Sequence, residues 1–150
     1  MRGTAGGSPR PGQVIVGRRY FTVSQADRAL VLVSQVVADV RQLYAQLLDL
    51  QEEAEASERR GGSPGPVREE MVGTAERLHA CLKEFDEIGV ELMDWTKGVV
   101  DFPCRAGGRE VRLCWQAGEP HIAFWHEATG CGDDRLDIAT LPVRDSVEVS

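Results

Sequence analysis

The sequence predicts an α+β fold, a long antiparallel two-helix hairpin packed on a small four-stranded antiparallel meander. Three observations predict it. Apolar residues recur at helical spacing from Ala26 to Leu50 and again from Met71 to Phe85. The GGSPGP stretch between them, residues 61–66, is short enough to make the two helices neighbours. After Gly89 the period changes, and four short runs rich in Val, Phe and Trp follow, separated by turn residues.

Residues 1–13 are rich in Gly, Pro and Ser and cannot bury much apolar surface, so a disordered tail is expected over about 1–17. Val14 to Val16 add a short strand or extend that tail. The single α+β domain is expected over 18–127. Its first helix, about 24–58, opens at Ser24, a good N-cap, with Asp27 three residues on as a short capping box. Ala26, Leu30, Val33, Val37, Val40, Tyr44 and Leu47 form the stripe, and Ala29, Val36, Leu43 and Leu50 flank it. The valines lower helix propensity slightly, but the period overrides them. Such a helix spans roughly 50 Å, long for a domain with a radius of gyration near 15 Å, so its second half needs a partner.

The second helix, about 66–88, is that partner. Pro66 fits a first turn, Met71, Ala75, Leu78, Leu82 and Phe85 share one stripe, and Gly89 stops the helix. The runs VELMDW, GVVDFP, REVRLCW and HIAFWH then supply four strands over about 90–126. Residues 128–150 are a loop with an extra edge strand, or a tail.

Strand register decides which side chains share a face. A four-residue turn, Ala117 to Pro120, pairs Trp115 with Ile122, Leu113 with Phe124 and Val111 with His126. A slip of one residue pairs Trp115 with His121 and exposes Ile122 and Phe124. The first is preferred because it buries two large apolar groups at about 2 kcal/mol each. It puts His126 on the core face. It leaves Asp101, Arg112, Cys114, His121 and Trp125 on the outer face, with Trp125 stacked on Arg112. Three readings of that outer face stay open. It is a solvated face, a dimer interface of the kind rich in Trp and Arg, or a ligand or metal site.

The whole chain bounds the function. Its 150 residues make one domain, and 42% hydrophobic residues suffice for a core. A net charge of −7 without clustered Lys and Arg argues against nucleic acid. No apolar run reaches the roughly 20 residues of a membrane span. The N-terminal stretch lacks the apolar centre of an export signal. Cys81, Cys104, Cys114 and Cys131 include no CxxC pair, so four reduced thiols in a cytoplasm are expected rather than a structural zinc site. There is no nucleophile elbow, phosphate-binding Gly-rich loop or HExxH. Cys114 beside His121 would be a weak thiolate pair. His126 reads as a buried, hydrogen-bonded histidine, and with Glu119, Glu127 or Asp101 nearby it could ligate a divalent metal.

YFTVSQADRAL (20–30), GVELMDWTKGVVDFP (89–103) and GREVRLCWQAGEPHIAFWHE (108–127) together resemble a bacterial family, domain of unknown function 2203. Members of that family carry a YFT helix entry, a DFP segment and an LCW-x-x-GEP-x-I-x-x-WH hairpin. The resemblance implies that Asp101, Phe102, Pro103, Cys114, Trp115, Gly118, Glu119, Trp125 and His126 match its pattern. It implies no activity. Where the family continues with a GFAGR-like segment, this chain has GCGDDR at 130–135. The function expected is therefore a non-catalytic cytoplasmic interaction or assembly module, a homodimer that takes a further protein partner. The alternative is a small-molecule- or divalent-metal-binding protein or enzyme. Its ligand residues would be Asp101, Arg112, Glu119, Trp125 and His126, with Asp101, Glu119 and His126 as metal ligands. No cofactor is named by the sequence.

Overall fold

The computed structural model describes residues 12–15, 17–129 and 134–142. Cys131, most of the expected N-terminal tail and most of 128–150 lie outside the described residues. Helix α1 spans Val23–Arg59 and α2 spans Gly65–Ile88. They are followed by β1 (Glu91–Asp94), β2 (Val99–Ala106), β3 (Arg109–Gln116), β4 (Phe124–Glu127) and β5 (Leu136–Asp137). The strands form one antiparallel sheet in chain order, so the meander has five strands rather than four.

The first helix starts earlier than Ser24. Thr22 is the N-cap; its Oγ1 accepts from Gln25 N at 3.1 Å, and Gln25 Oε1 accepts from Thr22 N at 2.9 Å. This complete capping box outcompetes Ser24, whose hydroxyl accepts from Arg28 instead. Asp27 is left free to bind elsewhere, and its Oδ1 accepts from Ile122 N at 2.7 Å. The buried stripe of α1 is Ala26, Leu30, Val33, Val37 and Val40, widened by Val36 and continued at Leu50 and Ala54. On α2 the stripe is rotated from the one expected. Thr74, Leu78, Cys81 and Phe85 are buried, while Ala75 is exposed. Thr74 is tolerated inside because its hydroxyl donates to Glu70 O at 3.0 Å. Gly89 ends α2 at φ +96°, the left-handed stop that glycine alone adopts without strain.

The hairpin register differs from both registers expected. Cys114 lies opposite Phe124, Leu113 opposite Trp125, Arg112 opposite His126 and Val111 opposite Glu127. The cause is the connection, which takes all of residues 117–123. Glu119 folds it back. Its Oε1 accepts from Gln116 N at 2.8 Å, and its carbonyl accepts from Trp115 Nε1 at 2.9 Å. Ile122 is buried from within this loop, held by Asp27, so no strand position has to be found for it. The slide then trades a half-buried Phe124 for a buried Trp125, the larger apolar surface.

Trp125 therefore faces the core, and the expectation that it stacks on Arg112 outside is corrected. Its Nε1 donates to Thr140 Oγ1 at 3.0 Å. The face toward α1 carries Val100, Phe102, Cys104, Val111, Leu113, Trp115 and Trp125, packed with Phe21, Ala26, Leu30, Val33, Val37 and Val40. Phe21 meets Phe102 edge-on at 5.3 Å. Pro103 sits inside β2 without breaking the ladder, because β1 pairs with β2 only as far as Asp101. Beyond that point Phe21 N donates to Pro103 O at 2.7 Å.

Candidate functional site

Alternation along the strands places Asp101, Glu110, Arg112, Cys114, Phe124 and His126 on the face turned away from α1. His126 belongs to this group, so its expected place on the core face is also corrected. The same one-residue slide that turned Trp125 inward turned its neighbour outward.

That face is polar but not solvated. Asp101 is 2% exposed, Cys114 1% and His126 4%. The chain before α1 lies against one side of the face. Gly12 O accepts from Glu110 N at 2.8 Å, and Tyr20 OH donates to Glu110 Oε1 at 2.9 Å. Glu110 Oε2 takes Arg112 Nε at 3.0 Å, and Arg112 Nη1 and Arg18 Nη2 both reach Glu91 Oε1. On the other side Arg135 lies over the Phe124 ring at 4.1 Å and donates to Glu119 Oε1 at 2.8 Å and Cys114 O at 3.3 Å.

Within this enclosure three side chains converge. Asp101 and Cys114 are cross-strand partners, and His126 is diagonal to Cys114 on the next strand. One ligand-type atom from each lies within 4.8 Å of the others. His126 Nε2 is 3.0 Å from Asp101 Oδ2, and Nδ1 is 2.7 Å from Glu127 O. A carbonyl oxygen only accepts, so Nδ1 carries a hydrogen. Nε2 is then the nitrogen that meets the Asp101 carboxylate, and it donates there whenever the ring is protonated. The hydrogen bond to Asp101 holds the His126 imidazole above its ordinary pKa, against the opposing effect of burial. Burial pushes the Cys114 thiol up to about 11, and the charge on Asp101 adds to the effect. Asp101 Oδ1 is buried without a hydrogen-bond partner.

The expected site residues thus separate. Asp101 and His126 meet. Arg112 stands on the same face, opposite His126 in the ladder, with its guanidinium held by Glu110 and Glu91. Glu119 builds the turn and clasps Arg135, and Trp125 is in the core. His121 is exposed and makes no pair with Cys114; its Nδ1 lies 3.3 Å from its neighbour's carbonyl. Cys114 is the member that reasoning from spacing undervalued. Alternation already put it beside Asp101, and only the register of β4 was missing to bring in His126.

A model of the uncharacterized conserved protein family DUF2203 matches residues 19–138. The chain belongs to that family. No curated protein and no solved structure matches the chain. The DUF2203 match spans both helices, and its last residue follows β5 directly. It therefore takes in Arg135, the final residue of GCGDDR, whose contacts with Glu119 and Phe124 close the loop over the site. Among the described residues no helix of this DUF2203 member is long and apolar enough to cross a membrane.

Proposed function

We propose that this DUF2203 protein is a non-catalytic cytoplasmic interaction module that acts as a homodimer through its helical hairpin and presents that assembly to a protein partner. The observation that carries the reading is aliphatic exposure on the helices: Val31 71%, Leu32 47%, Leu48 46% and Val72 59%. Helix α1 has 37 residues and is about 55 Å long. Gln46 of α1 and Arg77 of α2 line the same cleft, so Leu48 and Val72 stand within about one turn of each other along the antiparallel pair. Large aliphatic groups on both helices of an arm are what a second copy would cover.

The polar cluster supports the non-catalytic part of the reading. In the metal-free chain both ring nitrogens of His126 are already engaged, Nδ1 by Glu127 O and Nε2 by Asp101 Oδ2, and neither faces an open cleft where a substrate could meet it. The Cys114 thiol is almost wholly enclosed. The buried thiols of Cys81 and Cys114 suit a reducing compartment. The test is mass in solution by light scattering, for the wild type and for a Leu48→Glu/Val72→Glu double variant. A dimer that the double variant splits would support the reading; a monomer across the micromolar range would overturn it.

A further inference from the structure

We propose that Asp101, Cys114 and His126 form a binding site for one divalent transition-metal ion of the zinc class. The donors are one carboxylate oxygen, one sulfur and one imidazole nitrogen, all buried and all within 4.8 Å of one another. Hard cations such as Mg²⁺ and Ca²⁺ want oxygen alone; a sulfur and a nitrogen in the set select a softer ion. Asp101, Cys114 and His126 come from three adjacent strands, so the ladder itself holds their backbones in place.

The dimensions fit. Bonds of about 2.0–2.3 Å around a tetrahedral ion hold its donors roughly 3.3–3.8 Å apart. Nε2 and Oδ2 are already 3.0 Å apart, so this pair opens by a few tenths of an ångström. The widest pair, at most 4.8 Å, closes by about 1–1.5 Å, within reach of side-chain rotation.

Two further observations point to a ligand. Asp101 Oδ1 is buried and unpartnered in a residue only 2% exposed, and such an atom is costly to fold in unless something meets it. His126 is also oriented as a ligand. Its Nδ1–H is held by Glu127 O at 2.7 Å, the outer-shell bond that fixes the tautomer and aims Nε2 at a metal. Cys114 takes the place that sequence reasoning had assigned to Glu119. The three residues leave one position of a tetrahedral ion for water or a fourth donor. The site is independent of the homodimer, since none of its residues lies on the helices.

The test uses the full chain, reduced and stripped with chelator, and titrated first with Co²⁺ and then with Zn²⁺. We expect one Co²⁺ per chain, a near-ultraviolet thiolate-to-cobalt band and the visible absorption of a four-coordinate ion, all displaced by one equivalent of Zn²⁺. Cys114→Ser should lose the thiolate band. His126→Gln and Asp101→Asn should each weaken Zn²⁺ by more than about a hundredfold, beyond the 10–100-fold typical of outer-shell partners. Cys81→Ser should change nothing. If Cys114→Ser fails to fold, the wild-type spectrum and His126→Gln decide the matter, because Gln can still hydrogen-bond to Asp101. Absence of bound Co²⁺ and Zn²⁺ at micromolar metal would overturn the proposal. So would a thiolate band that survives in folded Cys114→Ser, or Zn²⁺ affinity unchanged in folded His126→Gln.

Discussion

Replacing Trp125 with Ala tests the hairpin register directly. Trp125 is 4% exposed within the core cluster. A buried Trp removes about 150–250 Å² from water, worth about 4–6 kcal/mol at 25 cal/mol per Å². Measured Trp→Ala changes in cores cost about 3–5 kcal/mol, because partial collapse recovers some of the loss. About 4 kcal/mol is therefore expected. With a urea m-value near 2 kcal/mol per M, the unfolding midpoint should fall by about 2 M. Trp95 and Trp115 remain as fluorescence probes, and circular dichroism gives a second signal. The companion variant is Phe124→Ala. Phe124 is half-buried under Arg135, so it should cost clearly less than Trp125→Ala. In the register that the sequence favoured, the order reverses, with Phe124 inside and Trp125 out. A cost below about 1 kcal/mol for Trp125→Ala, or a larger one for Phe124→Ala, would refute the packing argument.

Other perturbations probe the same framework. His126 has its pKa raised in the folded state, chiefly by the hydrogen bond to Asp101 on β2, with burial and, less, the Arg112 guanidinium on β3 opposing. The stabilisation is therefore complete below the unfolded value of about 6.5 and fades as pH rises through the folded pKa; metal-free wild type should lose its advantage over His126→Gln on going to alkaline pH, and denaturation at several pH values would show a flat difference if this is wrong. Removing Glu110 as Ala takes a buried carboxylate from Arg112 and Tyr20, while Arg112 keeps Glu91; about 3 kcal/mol should be lost, the low end for a broken buried pair, with faster proteolysis before Thr22. Gly98→Ala should cost about 2–5 kcal/mol, combining left-handed strain with overpacking. At φ +74° its Cβ would lie 2.8 Å from Val37 Cγ1 and 2.9 Å from Ala117 Cβ. Gly108→Ala, at the same φ of +74° but in open space, should cost only about 1–2 kcal/mol. Equal thermal shifts for the two would count against close approach of α1 to the turn.

The helices were legible because their signal is local and redundant. Seven stripe residues of α1 agree on one period, and the cap expected at Ser24 lies only two residues beyond the true one at Thr22. Gly89 was legible because a left-handed stop has few other solutions. The fifth strand was legible only as an open alternative within 128–150, since its two residues, Leu136 and Asp137, carry no periodicity. The outer face was half legible. Asp101, Arg112 and Cys114 follow from alternation within β2 and β3, which are joined by the tight Gly107-Gly108 turn that leaves no freedom of register.

The chain by itself therefore determined the class, the two helices, the central hairpin and two of the three members of the polar cluster. The tertiary structure decided the third. Whether Trp125 or His126 faces α1 depends on how residues 117–123 are taken up, and that was decided by a contact across the fold, Asp27 with Ile122. Side chains alternate with a period of two, so one residue of slide exchanges the two faces entirely. Periodicity within one strand cannot sense such a contact, because the energy that selects the register lies between elements far apart in sequence.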